Sequence, residues 1–484
     1  MHSSRSLALL TDLYQLTMAY GYWRAGKGEE EAVFHLFFRE TPFEGGYAIA
    51  AGLEHAVEYL RGLRFDEQDA EYLRSLRGND GTPLFSDEFV EALGRVEFAC
   101  DVDAVPEGTV VFAHEPLLRV RGPILQAQIV ETALLNIINF QTLIATKAAR
   151  VVLAAKGDPV LDFGLRRAQG VDGALAASRA AYIGGCSGTS NVLAGARFGM
   201  PVRGTHAHSW VMSFPSELEA FMTYAEVMPN NTLLLVDTYD TLEGVRHAIE
   251  TGRRLRERGH ELAGIRLDSG DLAYLSIEAR RMLDEAGFPN ARIAASNDLD
   301  EHIITSLKEQ GARIDLWGVG TKLITAFDQP ALGGVYKLTA MRAGGGEWQY
   351  KVKLSEQAIK VSNPGILQVR RFFTNGQAAG DMIFSEDGTQ PATTIVDPLD
   401  PTRRKRFDES TQSEDLLVPV FRRGVLVCDP PPLDEIRRRR ERQLELFHPG
   451  IKRLVNPHRY PVGLEQQLFE LKTRLILEAR GVTA

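Results

Sequence analysis

The sequence predicts an α/β protein: an irregular TIM-like α/β barrel with a mixed α+β N-terminal domain and a C-terminal extension. Two observations support this prediction. Several short apolar runs in the middle of the chain each end in a cluster of polar residues, and segments with helical spacing separate these runs. Such alternation implies parallel strands joined by right-handed crossovers. Polar clusters on so many successive strands favour a closed barrel, because an open sheet concentrates its site at one switch point.

The composition is that of a globular protein with more than one domain. The chain has 484 residues, too many for one compact core, and its hydrophobic fraction is 44%. A formal net charge of −9 argues against a nucleic-acid binder. The three cysteines are widely spaced, so neither a disulfide framework nor a cysteine metal site is expected. No apolar stretch indicates a membrane span or a secretion signal, and we expect a cytoplasmic protein with no membrane partner.

Three segments are expected along the chain. They are a mixed α+β domain at 1–150, the barrel core at 151–345 and a C-terminal region at 346–484 that completes the first domain. In the first segment, DLYQLTMAY at 12–20 has helical spacing, and EAVFHLFFR at 31–39 is rich in strand-forming residues. Further helices are expected at 87–96 and 128–150, and the latter is apolar on most sides and should be buried.

The core and the C-terminal region differ in pattern. In the core, helices are expected at 242–258, 273–286 and 301–310, between strand ends. Beyond residue 345 we expect hairpins at Asn375-Gly376 and within 416–428, an exposed loop at 397–415, and helices at 434–446 and 463–480. The run Arg437 to Arg440 falls on one of these helices, and a solvated face is a better interpretation of it than a nucleic-acid site.

Two kinds of polar cluster at the strand ends suit phosphate or metal chemistry. Gly318, Gly320 and Thr321 end a strand and precede a helix, so their backbone N–H groups could face a phosphate, although an ordinary tight turn has the same pattern. Asp237 and Asp268 could hold hydroxyl groups of a substrate, Mg²⁺ or both. The alternative role for aspartates at these places is helix capping, which suits Asp240 and Asp271.

The order of the motifs resembles one known family. They are TDLYQLTM at 11–18, DFGLRRAQG at 162–170, GTHAHS at 204–209, DTYD at 237–240, RLDSGD at 266–271 and GVGT at 318–321. Together they are similar to nicotinate phosphoribosyltransferases over nearly the whole chain. The resemblance implies a homodimer that converts nicotinate and phosphoribosyl pyrophosphate to nicotinate mononucleotide and pyrophosphate, with coupled ATP hydrolysis and Mg²⁺.

The resemblance also implies roles for individual residues. His208 matches the histidine that ATP phosphorylates, and a neutral imidazole is a competent nucleophile toward phosphate. Phe163 matches one half of an aromatic pair around the pyridine ring, and Tyr14 matches the other half, contributed by the partner subunit. Arg266 would meet the carboxylate of nicotinate, with a salt bridge to a nearby aspartate as its alternative role.

Three further residues complete the expected site. Arg166 could bind phosphate or carboxylate, and Thr205 could contact or position the ring substrate. Ser190 stands in GTSN at 188–191, where nicotinamide enzymes carry an aspartate that accepts the amide N–H. A serine there removes a negative charge that would repel a carboxylate, which favours nicotinate over nicotinamide.

Three other functions remain open on the sequence. The nearest is a nicotinamide phosphoribosyltransferase, if the alignment at Ser190 is shifted. The second is a metal-dependent barrel amidohydrolase, because His206-Ala207-His208 resembles a histidine metal pair. That chemistry needs histidines at later strand ends, whereas His247 and His302 fall within expected helices. The third is a non-catalytic scaffold, which gives no account of the reactive clusters.

Overall fold

A computed structural model describes residues 6–357, 361–388 and 393–482. The chain forms two compact units. Unit 1 contains Met1–Leu143 together with Ala331–Ala484, and unit 2 contains Ile144–Pro330. The two ends of the chain therefore build one unit, and the middle of the chain builds the other.

The first part of the chain contains six helices and five strands among the described residues. They are α1 (Leu13–Arg24), β1 (Glu31–Phe38), β2 (Ala48–Ile49), α2 (Leu53–Arg61), α3 (Glu67–Ser75), α4 (Asp87–Gly94), β3 (Asp101–Ala104), β4 (Val110–Val111), β5 (Leu118–Pro123), α5 (Ile124–Ile129) and α6 (Glu131–Ala154). The strand expected at 31–39 and the helix expected at 12–20 are both present. β1 is almost wholly buried, which accounts for its run of aromatic and branched residues.

Unit 2 alternates strands and helices, as the apolar runs predict. Its elements are β6 (Val160–Asp162), α7 (Val171–Ile183), β7 (Gly188–Thr189), α8 (Val192–Phe198), α9 (His208–Met212), α10 (Glu217–Val227), β8 (Leu233–Leu235), α11 (Thr241–Glu257), β9 (Gly264–Leu267), α12 (Leu272–Glu285), β10 (Arg292–Ala295), α13 (Glu301–Glu309), β11 (Leu316–Val319) and α14 (Thr321–Ile324). Four helices of this unit, α7, α8, α9 and α10, were not predicted from the sequence. α8 and α9 are short, and the apolar residues of α7 and α10 are not confined to one face, so periodicity gives a weak signal there.

The six strands of unit 2 form one parallel sheet. Their order is β7-β6-β11-β10-β9-β8. Residues 201–203 also run beside β7, since the N–H of Thr189 donates to Pro201 and the N–H of Arg203 donates to Thr189. The parallel α/β prediction is confirmed. No strand pairing joins the two edges of this sheet within residues 144–330, so closure into a barrel stays a prediction.

The last part of the chain is mainly antiparallel. Its elements are β12 (Gly334–Arg342), β13 (Gln349–Tyr350), β14 (Leu367–Thr374), β15 (Gln377–Ser385), β16 (Thr394–Val396), β17 (Arg404–Arg406), β18 (Ser413–Asp415), β19 (Val418–Arg422), β20 (Val425–Leu426), α15 (Leu433–Glu445), β21 (Val462–Glu465) and α16 (Gln466–Ala479). Both predicted hairpins are confirmed: Asn375 and Gly376 turn between β14 and β15 with positive φ, and β19 pairs with β20.

Two sheets of unit 1 combine the ends of the chain. The larger has the order β13-β12-β1-β5-β3-β19-β20, so strands from the last part of the chain flank three central strands from the first part on both sides. The second, β17-β16-β21-β15-β14-β18, belongs to the last part alone. β1 lies between β12 and β5 and pairs antiparallel with both. The first strand of the chain therefore needs a strand about 300 residues later to complete its hydrogen bonds.

Three expectations for the C-terminal region need correction. The loop expected at 397–415 contains the short strands β17 and β18, whose residues are exposed and polar. The helix expected from residue 463 begins only at Gln466, after β21. The arginine run on α15 is not a uniformly solvated face, because Arg440 is buried and Arg439 donates to the carbonyl of Glu107 at 3.0 Å.

One helix, α6, is long and apolar enough to cross a membrane by length and composition. A mostly apolar, buried helix was expected here at 128–150, and no membrane span was expected. However, 72% of its most apolar window is buried inside the structure, and buried core helices of globular proteins have the same length and composition.

Candidate active site

The side chains expected to act chemically lie in unit 2 at the carboxyl ends of its parallel strands. Phe163 follows β6, Ser190 follows β7, Asp237 lies two residues beyond β8, and Asp268 directly follows β9. Gly318 lies within β11. Because these strands are parallel, their carboxyl ends share one edge of the sheet.

Asp162, at the end of β6, holds two of the site loops together. Its carboxylate accepts hydrogen bonds from the N–H of Gly164 at 2.8 Å and the hydroxyls of Ser178 at 2.7 Å and Thr189 at 2.8 Å. Its carbonyl accepts the N–H of Ser190 at 2.9 Å. Burial raises the pKa of the Asp162 carboxyl, although these donors act in the opposite direction. This anchoring role of Asp162 was not predicted from the sequence.

The ring of Phe163 occupies space that a glycine leaves free. A Cβ atom on Gly318 would lie 2.5 Å from the Phe163 ring, closer than carbon atoms can approach. The N–H of Phe163 donates to the carbonyl of Val319 at 2.9 Å, which ties the loop after β6 to β11. Gly318 thus has a packing role beside the aromatic ring, in addition to the backbone role expected from its motif.

Gly320 and Thr321 begin the short helix α14 after β11. Gly320 has φ −110° and ψ −104°, outside the usual regions for residues with a side chain. The side chain of Lys322, the next residue, pairs with Asp300 at 2.7 Å. The predicted strand-to-helix turn is therefore present, and it carries a cation within one residue of Thr321.

Arg266 on β9 contacts Thr205 and no carboxylate. Its Nη1 donates to the hydroxyl of Thr205 at 2.5 Å, and its Nε is buried with no partner among the described residues. Burial lowers the pKa of the Arg266 guanidinium, while the negative charges of Asp268 and Asp237 oppose this effect. The salt bridge considered as an alternative for Arg266 is absent from the described ion pairs. A buried guanidinium with an unused donor suits an incoming carboxylate.

Asp237 uses one carboxylate oxygen to shape the site and leaves the other unused. Its Oδ2 accepts the N–H of Asp268 and the hydroxyl of Ser269, both at 2.7 Å. Its Oδ1 is buried and has no hydrogen-bond partner among the described residues. An unsatisfied buried carboxylate oxygen is unfavourable unless a ligand or cation completes it.

His208 lies between a hydroxyl and a carboxylate. Its Nδ1 is 3.1 Å from Oγ1 of Thr238, and its Nε2 is 3.7 Å from Oδ2 of Asp268. The other carboxylate oxygen of Asp268 accepts a short hydrogen bond from Ser296. The His208 side chain is 39% exposed, so it is accessible to a substrate from solvent. Thr238, Ser269 and Ser296 were not singled out from the sequence, because single hydroxyl residues carry no pattern.

His206 has a structural role that excludes a histidine metal pair. Its Nε2 accepts the N–H of Leu235 at 3.2 Å, and its Nδ1 lies 3.3 Å from the carbonyl of Ala207. Burial lowers the pKa of His206 to about 4, so the ring is neutral near pH 7. With both nitrogens occupied by the backbone, His206 has no lone pair for zinc. The described residues also contain no cluster of three or more His, Cys, Asp or Glu side chains that could hold a metal.

The remaining predicted residues are placed as follows. Arg166 is exposed in the loop after β6, and Ser190 is half-buried after β7. The capping role expected for two aspartates is confirmed: Asp240 accepts the N–H of Glu243 at the start of α11, and Asp271 accepts that of Tyr274 at the start of α12.

Tyr14 lies in unit 1, on an exposed apolar face at the start of the chain. It is 46% exposed on α1, and neighbouring Leu13 and Met18 are 52% and 41% exposed. Burial and the negative charge of Glu131 raise the pKa of the Tyr14 hydroxyl. Exposed large apolar side chains grouped on one helix are common at contact surfaces of proteins.

Comparison with known proteins is consistent over the whole chain. Models of the nicotinate phosphoribosyltransferase N-terminal domain, the family's central region and its C-terminal domain match residues 9–139, 159–353 and 367–472. The nicotinate phosphoribosyltransferase of Bacillus subtilis (strain 168) is 46% identical, covering 98% of this chain and 96% of that protein. One from Mycobacterium tuberculosis is 43% identical, covering 97% and 94%.

A solved structure agrees with the sequence relatives. The crystal structure of human nicotinic acid phosphoribosyltransferase superposes with a TM-score of 0.84 at 34% identity, covering 96% of this chain and 99% of that one. The motifs at the strand ends, the relatives and this structural match point to the same conclusion. The chain belongs to the nicotinate phosphoribosyltransferase family.

Proposed function

We propose that this protein transfers the phosphoribosyl group of phosphoribosyl pyrophosphate to nicotinate, giving nicotinate mononucleotide and pyrophosphate for NAD biosynthesis, with ATP hydrolysis coupled to the transfer. The observation that carries the proposal is the arrangement of Arg266, Asp237, Asp268 and His208 at one edge of the sheet of unit 2. A cation for a carboxylate, two acidic groups and an accessible imidazole are the groups that this chemistry needs.

Nicotinate would bind between the Phe163 ring and the guanidinium of Arg266. The flat pyridine ring packs on the aromatic face, and the unused Nε–H of Arg266 meets the carboxylate. Thr205 fixes the Arg266 side chain from the other side. Ser190 places no negative charge near this carboxylate, which supports nicotinate over nicotinamide.

The transfer breaks the C–O bond at the anomeric carbon of the ribose and forms a C–N bond to the pyridine nitrogen. The electron pair of the broken bond leaves with pyrophosphate, and positive charge develops on the ribose ring. Asp237 and Asp268 carry the negative charge that opposes this change. No general base is needed, since the pyridine nitrogen has no proton to lose. The backbone around Gly318, Gly320 and Thr321 would hold phosphate oxygens. Arg166, in the loop after β6, would bind them as well.

The residues present fit a magnesium ion. Mg²⁺ prefers one or two carboxylates together with phosphate oxygens and water, and Asp237 offers a buried carboxylate oxygen that no protein donor satisfies. Asp237 or Asp268 would hold the ion, which would supply positive charge to the leaving pyrophosphate. Asp237 also aligns the backbone of Asp268, so a single side chain links the position of both carboxylates.

His208 would couple ATP hydrolysis to the transfer. When Nδ1–H donates to Thr238, Nε2 carries a free lone pair. Nε2 would attack the γ-phosphorus of ATP, the bond to the β-phosphate oxygen would break, and ADP would leave. Water would then hydrolyse the phosphohistidine to phosphate and free His208. The negative phosphohistidine would lie beside Asp268, so its hydrolysis is favoured by charge repulsion.

Two structural features of the proposal concern assembly. We propose that the sheet of unit 2 closes into an irregular barrel, with residues 201–203 beside β7 as a further strand position. We also propose a homodimer in which the apolar face of α1 is covered by a second copy, which brings Tyr14 to the partner's site. The exposed fractions of Leu13, Tyr14 and Met18 support a covered face.

The test is pyrophosphate release from phosphoribosyl pyrophosphate and Mg²⁺ with nicotinate or nicotinamide, each with and without ATP. We expect turnover with nicotinate that rises when ATP is added. His208→Ala should lose ATPase activity and ATP stimulation while keeping slow, ATP-independent transfer. The control is His260→Ala, because His260 is half-buried and pairs with Asn230 near the amino ends of β8 and β9, whereas the site lies at the carboxyl ends. Preference for nicotinamide would refute the assignment of Ser190, and full ATP coupling in the His208 variant would refute the role of His208.

A further inference from the structure

A cavity lies entirely within unit 1, and the proposed reaction does not use it. It has a volume of about 210 Å³. The titratable and charged side chains that line it are His114, Asp397, His458, Arg459, Tyr460 and Lys472. Most of the remaining wall is apolar, including Phe112, Ile383 and Leu464. An apolar cavity with a few converging polar groups is the usual form of a small-molecule site.

Lys472 brings an uncompensated positive charge to this cavity. Its Nζ lies on α16 and donates to Oδ1 of Asn363 at 2.8 Å and, more weakly, to the carbonyl of Val361 at 3.4 Å. An ammonium group has three donors, so one is left over. Burial lowers the pKa of Lys472 to about 8, and no ion pair involving it exists among the described residues. A half-buried lysine without an acidic partner loses part of its hydration, and a ligand anion would compensate this loss.

Asp397 does not supply that anion. It forms its ion pair with Arg459, whose Nη2 lies 3.2 Å from the Asp397 carboxylate. These two charges compensate each other, which leaves Lys472 as the excess cation in the cavity wall. The cavity therefore has a net charge of about one positive unit near pH 7, suited to a single negative charge on a ligand.

His114 offers a neutral hydrogen-bonding ring at the same cavity. It has φ of +71°, a left-handed conformation that a non-glycine residue adopts only when its surroundings hold it there. Its backbone N–H donates to the carbonyl of Phe38 at 2.7 Å, which fixes the loop. Burial and the positive charges of Lys472, Arg39 and Arg459 lower the pKa of His114 to about 4, so it adds no second charge.

From this geometry we propose that the cavity binds a small monocarboxylate with an apolar or aromatic body. The carboxylate meets the ammonium group of Lys472, and the body packs against Phe112 and Leu464. The neutral ring of His114 completes the polar contacts. The single charge and the small volume exclude a nucleotide, which carries several phosphates and needs more space. The inference is independent of the proposed transferase activity, because the residues that carry it all belong to unit 1.

The experiment is equilibrium dialysis with radiolabelled benzoate, comparing the native chain with Lys472→Met. We expect the native chain to bind one more benzoate per chain, because the variant loses a charged hydrogen bond and its affinity falls at least about tenfold at this site. Any benzoate bound near Arg266 is common to both proteins, so the difference reports on the cavity alone. Lys472→Arg should retain the site, and benzyl alcohol, which is neutral, should not compete.

Lys452→Met is the matched control. Lys452 is also half-buried in unit 1, donates to a backbone carbonyl and has a pKa lowered by burial, but it does not line the cavity. It should bind benzoate like the native chain. Raising the pH from 7 to 9 should weaken binding roughly tenfold at the cavity, since Lys472 loses its proton in this range. Equal benzoate stoichiometry and affinity in the native and Lys472→Met proteins would overturn the proposal, as would a pH-independent affinity.

Discussion

Gly318→Ala tests whether the space beside Phe163 positions the nicotinate ring. The added Cβ would lie 2.5 Å from the Phe163 ring, whereas carbon atoms in contact are about 3.5 Å apart, so the ring must recede by about 1 Å. Overpacking of this kind costs about 1–3 kcal/mol when the surroundings yield. A displacement of about 1 Å at a substrate-positioning group can reduce a rate by up to about a hundredfold.

The measurement is kcat and KM for nicotinate and for phosphoribosyl pyrophosphate, together with the thermal midpoint. We expect the nicotinate KM to rise at least about tenfold while the phosphoribosyl pyrophosphate KM changes little. Gly173→Ala is the control, because a Cβ at this position on α7 meets no atom within 4 Å. A stably folded Gly318→Ala with unchanged nicotinate kinetics would show that the Phe163 ring does not contact the substrate.

Three further predictions concern charge. Arg266→Ala should raise the nicotinate KM by about ten- to a hundredfold and leave the ATP KM nearly unchanged in steady-state kinetics. Equal effects on both KM values would show that Arg266 does not bind the nicotinate ring. Ser190→Asp should lower kcat/KM for nicotinate relative to nicotinamide by at least about tenfold, and an unchanged ratio in competition assays would contradict this. Burial and the negative charge of Asp381 raise the pKa of the Glu115 carboxyl well above its ordinary value. The protonated Glu115 therefore stabilises the fold fully when the pH is below the ordinary pKa of a glutamate, and this stabilisation is lost as the pH rises towards the raised pKa. Urea unfolding of Glu115→Gln should therefore depend less on pH than that of the native chain, and an identical pH dependence would refute this.

Much of the parallel sheet could be predicted because its strands are short apolar runs bounded by polar clusters. β6, β8 and β9 end within two residues of the first residue of the motifs at 162–170, 237–240 and 266–271, which were expected at strand ends. β17 and β18 could not be found this way, since Arg-Lys-Arg and Ser-Glu-Asp are exposed and carry no alternating pattern. Their positions are set by pairing partners and not by their own sequence: β17 pairs with the nearby strand β16, and β18 pairs with β14, much earlier in the chain.

In the candidate site too, local sequence predicts which residues lie at strand ends, but not which of them remain available to a ligand. Asp237, Asp268 and His208 were expected at strand ends, and the structure brings His208 and Asp268 to 3.7 Å. Asp162 stands in an equally suggestive motif, yet three protein donors satisfy its carboxylate. The sequence shows that an aspartate follows an apolar run. Only the neighbouring loops decide whether its oxygens stay free for a ligand.

The composite nature of unit 1 has a consequence for how the chain is made. On the ribosome, unit 2 (residues 144–330) is complete just before β12 begins, so it can fold as a continuous segment while unit 1 still lacks all of its C-terminal strands. β1, with the apolar sequence AVFHLFF after its first residue, must wait for β12 before both of its edges are paired. During this interval it is an exposed, aggregation-prone edge strand. Premature termination within the last third of the chain would therefore leave an intact sheet in unit 2 and an insoluble remnant of unit 1.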